Sequence, residues 1–154
     1  MTSNQQLEIW CRRVPDFVGV FCSSDLPVPF EGVLITNYSP CDTYGTHWLQ
    51  MTKQGSTLFY FDSYGLPPDN GLEKRFINVH PPPFHEWFEA IGVERVEYNA
   101  TDLQSINTDV CGQYSCYAAL HGLPASNRGA WSWVSSDTRL NDRIIARLVT
   151  MPPQ

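Results

Sequence analysis

The chain has 154 residues, a formal net charge of −6 and 42% hydrophobic residues, a balance that fits one folded domain over residues 1–154. It holds no apolar run of about 18 residues, so a membrane-spanning helix is not expected. It also lacks a run of basic residues, which argues against strong sequence-independent nucleic-acid binding. Met1 to Gln6 is polar and does not follow the basic-then-apolar layout of a signal peptide, so the protein is not expected to be secreted. The five cysteines (11, 22, 41, 111 and 116) are odd in number and form no CxxC pair, so free thiols in a reducing compartment are expected.

In chain order, Gln5 to Arg13 reads as a short helix that stops before Pro15. Phe17–Phe21 and Val33–Asn37 read as strands separated by the proline-rich turn Pro27 to Pro29. His47–Met51 and Thr57–Asp62 form an expected hairpin that turns over Lys53–Ser56. Leu58–Phe61 is apolar on both faces, as a central strand covered on both sides would be. Gly65–Pro83 carries five prolines and reads as a loop. Phe84–Ile91 follows as a helix, Val93–Tyr98 as an edge strand, and Cys111–Leu120 as a helix of small residues closed by Gly122. A last amphipathic helix runs from Asn141 to Thr150, with Asn141 or Asp142 at its start. The predicted class is α+β: a mixed, mostly antiparallel sheet packed by helices, with a cysteine at a helix N-terminus.

Four residues carry the chemistry expected of this chain. Cys111 opens a predicted helix, where the partial positive charge of the helix end favours a thiolate, and Gly112 after it admits a close backbone approach. Taken alone, a cysteine before a helix is more often a buried, inert residue. His47 shares a strand face with Leu49 and Met51 and is placed to take a thiol proton. Asp62 ends the apolar strand, where a buried carboxylate needs a partner, and it lies fifteen residues from His47 across a short hairpin. The Asp62-Ser63-Tyr64-Gly65 stretch is also an ordinary turn. Gln104 stands seven residues before Cys111, and its side-chain amide can donate to an oxyanion.

Other groupings do not hold. Cys111, Cys116 and His121 fall on different sides of one helix and cannot share a metal. Cys41 and His47 can meet in space but lack a second pair of zinc ligands. His80 and His85 bracket a rigid proline run, and no glycine-rich phosphate loop is present.

Gly45-Thr46-His47-Trp48, Phe61-Asp62-Ser63-Tyr64-Gly65, and Gln104 separated by six intervening residues from Cys111-Gly112 together resemble the adenovirus protease family, adenain. That family belongs to the clan of the SUMO-deconjugating proteases. The similar stretch runs from Phe17 to His121. The chain is shorter than the adenovirus enzymes, in keeping with adenain-like proteases of smaller DNA viruses and virus-like transposons.

The resemblance implies a cysteine endopeptidase of virion maturation that cleaves viral capsid or core precursors at glycine-containing sites. In it Cys111 is the nucleophile, His47 the general base and acid, Asp62 the group that orients His47, and Gln104 the oxyanion donor. Trp48, Gly45 and Gly112 would line the substrate cleft. No cofactor is implied for the chemistry and no metal. An activating peptide or DNA is implied by the family, although the acidic balance weakens the case for DNA. The resemblance also implies a monomer that works in the host nucleus or cytoplasm and in the virion, with no membrane partner. Two rival readings are a deconjugase acting after the Gly-Gly of a ubiquitin-like modifier and an inactive protease-like binding module.

Overall fold

Ser3 starts the first helix through a capping box: its hydroxyl accepts from the Gln6 amide while the Gln6 side chain accepts from the Ser3 amide. In the computed structural model, whose described residues are 1–69 and 82–154, this helix α1 spans Asn4–Cys11. β1 (Phe17–Phe21), β2 (Gly32–Asn37), β3 (Trp48–Gln54) and β4 (Thr57–Phe61) follow. Then come α2 (Phe84–Ala90), β5 (Arg95–Tyr98), α3 (Cys111–His121) and α4 (Thr138–Leu148). Most of the expected loop over 65–83, His80 included, lies outside the described residues.

The fold is α+β, with one five-stranded sheet in the order β1-β2-β3-β4-β5. The two central pairings, β2–β3 and β3–β4, are antiparallel, and the two outer ones, β1–β2 and β4–β5, are parallel. The sheet is thus evenly mixed rather than mostly antiparallel. The reason lies in the connections: each outer strand is joined to its neighbour by a long excursion that returns the chain to the same end of the sheet.

Alternation along the strands divides the sheet into two cores. Val33, Ile35, Trp48 and Phe61 face α1, α3 and α4, together with Trp131. Leu34, Leu49, Met51, Leu58 and Tyr60 face α2 through Phe84, Trp87 and Phe88. β4 contributes to both sides, as its unbroken apolar run requires. α3 ends at Gly122, whose φ of 82° suits a residue without Cβ. Among the described residues, no helix is long and apolar enough to cross a membrane.

Two expectations change in the fold. α4 starts at Thr138 with Asp137 as its N-cap, accepting from the Leu140 amide. Asn141 and Asp142 therefore lie within the helix, on its buried face. The sequence holds two competing N-cap signals, and the earlier one adds a turn of helix.

The cysteines also depart from the expectation of five free thiols. Cys22 and Cys41 form a disulfide with their Cα atoms 5.2 Å apart, while Cys11, Cys111 and Cys116 are free. The loop after β1 and the loop after β2 run side by side because those strands are parallel neighbours, which sequence spacing does not reveal. Asp25 lies beside the pair, but sulfurs bonded to each other are not thiolate ligands for a metal. Cys22→Ser should lower unfolding stability by about 3 kcal/mol, the loop-closure value for a span of this size. Urea unfolding under non-reducing conditions reads the loss, and equal stability with and without the bond would refute it.

Candidate active site

The site forms where β3 begins, β4 ends and α3 begins. His47 falls one residue ahead of β3 rather than within it, and its carbonyl accepts from the Tyr38 amide. Its ring stacks with centroids 4.8 Å apart on Tyr64, which belongs to the same core as Leu49 and Met51, as strand alternation expects. Asp62 is the residue just after β4. Its Oδ1 lies 2.8 Å from His47 Nε2 and also accepts from the Tyr64 amide at 2.8 Å. The turn reading and the partner reading of Asp62 are therefore both realised by one oxygen.

Asn99 fixes the backbone at Asp62 from both sides. Its Oδ1 accepts from the Asp62 amide at 3.0 Å, and its Nδ2 donates to the Asp62 carbonyl at 2.7 Å. Sequence reading passed over Asn99, which lies just after β5 and carries no motif. The only signal was its polarity beside an edge strand.

Cys111 is the first residue of α3. Its Sγ accepts from the Trp48 amide at 3.4 Å and stands near enough to the His47 ring to help hold a proton there. The N-cap, Val110, gives α3 no side-chain acceptor, so the first N–H groups of the helix lack the usual capping partner. That leaves the sulfur at a helix end whose donors favour negative charge.

Burial by itself opposes charge on His47, since the ring is only 2% exposed. The Asp62 carboxylate and then the Cys111 sulfur outweigh it, and the imidazole pKa is raised to about 10. Asp62 Oδ2 is buried without a hydrogen-bond partner among the described residues, so the imidazolium is the main compensation for its charge. The Tyr64 phenol is pushed up by burial first, then by its closeness to Cys111 and Asp62.

Gln104 is buried close by, but its side chain is engaged locally. Ser63 Oγ donates to its Oε1, while its Nε2 donates to the Thr108 carbonyl at 3.0 Å. The Ser63 carbonyl also accepts from the Leu103 and Gln104 amides. Gln104 is thus tied to the turn that carries Asp62, with its amide nitrogen held by the segment that leads into Cys111.

The three expected cleft residues, Trp48, Gly45 and Gly112, converge on the first two residues of the chain. Trp48 Nε1 donates to the Thr2 carbonyl at 2.9 Å. A Cβ on Gly112 would stand 2.9 Å from Thr2 Cβ, and one on Gly45 would stand 2.9 Å from Asn37 Nδ2 and 3.2 Å from Met1 Sδ. Neither glycine has room for a side chain. With this segment in place Cys111 is only 4% exposed.

Chemically, the arrangement joins a sulfur, a basic ring beside it and a carboxylate that orients the ring, all at a helix end rich in N–H donors. No protein-family model matches this chain, and no curated protein sequence matches it.

Proposed function

We propose that this chain is a cysteine endopeptidase. The observation that carries the reading is the buried grouping of Asp62, bonded to the His47 ring, with Cys111 beside that ring at the N-terminus of α3. The proton of Cys111 rests on His47 as the imidazolium, and the thiolate forms a C–S bond to the scissile carbonyl carbon while the C=O electron pair moves onto oxygen. The Cys111 amide and the Gln104 side chain donate to that oxyanion. Its collapse expels the amine, which leaves with the proton from His47. Water then attacks the thioester with His47 as base, releasing the acid and restoring the thiol.

The substrate class follows from the sequence resemblance to adenain: viral capsid or core precursors, cut at glycine-containing sites. Gly45 and Gly112 support it, because neither puts a side chain between the site and a closely approaching strand. The host nucleus or cytoplasm and the virion are the compartments that go with this reading, and an activating peptide or DNA goes with it too. The same two glycines favour a second reading, removal of a ubiquitin-like modifier after Gly-Gly.

Purified protein in reductant should cleave reporters with glycine-rich internal sites, and Cys111→Ala should not. Cleavage confined to modifiers fused through Gly-Gly would select the second reading. Full cleavage by Cys111→Ala would remove both.

A further inference from the structure

Asp142 is a carboxylate only 6% exposed, on a helix that contributes nothing to the triad. Burying such a group is costly unless its oxygens are used, and here both are. Oδ2 accepts from the Ser105 amide at 3.1 Å and from Thr108 Oγ1 at 2.8 Å, while Oδ1 accepts from the Tyr114 hydroxyl at 2.8 Å. These donors lie around the candidate oxyanion donor and the nucleophile. Ser105 follows Gln104, Thr108 offers the carbonyl that holds Gln104 Nε2, and Tyr114 sits one turn of α3 beyond Cys111.

The neighbouring Asn141 extends the same grip. Its Nδ2 donates to the Leu103 carbonyl at 3.2 Å, and Tyr114 OH lies 3.1 Å from that carbonyl. α4 thus holds the 103–110 segment at its start, its middle and the helix into which it runs. Burial, and then the bond to Asp142, push the Tyr114 phenol up and keep it a neutral donor.

We propose that Asp142 is a positioning residue that sets Gln104 for its oxyanion role, acting through Thr108 and Ser105. This inference rests on the protease reading given above. Gln104 Nε2 faces both the carbonyl and the hydroxyl of Thr108, and an amide whose hold on Thr108 is disturbed loses alignment with a developing oxyanion at little cost to ground-state binding, so the effect falls on kcat. An asparagine at 142 keeps the shape but removes the charge and puts an NH2, which cannot accept, where one of the two carboxylate oxygens stood, so the grip on Ser105, Thr108 and Tyr114 is weakened.

The test is a double-mutant cycle on reporter cleavage with Asp142→Asn and Gln104→Ala, with Thr108→Val as an independent route to the same link. Gln104→Ala should lower kcat about 100- to 1,000-fold, the usual loss for one oxyanion donor. Asp142→Asn and Thr108→Val should each lower kcat about tenfold or more with KM nearly unchanged. In the Gln104→Ala background, Asp142→Asn should add almost nothing, because its effect passes through the missing amide.

Independent, multiplying effects would overturn the proposal. So would an Asp142→Asn variant with wild-type kcat, whatever its melting temperature. If the wild type cleaved no reporter, the protease reading would fail by itself. The side-chain amide resonances of Gln104 then decide the positioning claim: they should shift in both Asp142→Asn and Thr108→Val, and unchanged resonances would refute it.

Discussion

Asp62→Asn should lower kcat/KM on the order of 10,000-fold while the chain still folds, since an asparagine at this point can hold the turn but not the ring. Asp62 Oδ1 receives both the Tyr64 amide and His47 Nε2. An amide oxygen keeps the first bond, and it offers the imidazole no charge. Burial, the largest influence on His47, would then be opposed by Cys111 alone, and the ring pKa should fall from its raised position near 10.

The same change should appear in stability. His47 has a folded pKa above its ordinary 6.5, so the stability carried by the charged ring is complete below about 6.5 and is lost as pH rises through about 10. Wild-type unfolding free energy should therefore drop by a few kcal/mol across that window, and Asp62→Asn should show little of the drop. Urea titrations at several pH values, paired with single-turnover kinetics, read both effects. A wild type whose stability is flat from pH 6.5 to 10 would remove the buried imidazolium. An Asp62→Asn enzyme within tenfold of wild type would remove the carboxylate from the mechanism.

Uncovering Cys111 is the second large effect expected. Residues 1 and 2 stand against Trp48, Gly45 and Gly112, the three residues expected to line the cleft. Releasing them breaks the bond from Trp48 Nε1 to the Thr2 carbonyl and the packing of Thr2 on Gly112. Each is worth about 1 kcal/mol, so alkylation of Cys111 should speed up roughly 30-fold in a chain lacking residues 1–3. Ser3 caps α1, so that deletion also weakens the helix. Thr2→Gly keeps the cap and should give a smaller rise in the same direction. Iodoacetamide labelling followed by mass mapping of Cys111 measures it. Unchanged rates in both variants would mean that the thiol is buried by the rest of the fold.

The class of the fold and most of its elements were legible locally, because alternation, capping and turn chemistry act over a few residues. The hairpin that brings Asp62 within reach of His47 is an example: two apolar strands and a short turn decide it within fifteen residues. Cys111 at the head of α3 is another, since helix ends are written in the adjacent sequence.

Contacts made across long separations were not legible. The disulfide between Cys22 and Cys41 depends on two loops that meet only because β1 and β2 lie parallel. Asn99 reaches Asp62 from thirty-seven residues away once β5 has paired with β4. Asp142 looked like a helix cap because its short-range signal is that of one. Only the docking of α4 turns its carboxylate onto Ser105, Thr108 and Tyr114. Thr2 gave no sign of its contact with Gly112. By itself, then, the sequence determined an α+β chain with a cysteine, a histidine and an aspartate at workable spacings. Tertiary packing decided which polar groups complete, hold and cover them, because a side chain's hydrogen-bond partner is set by distance in space.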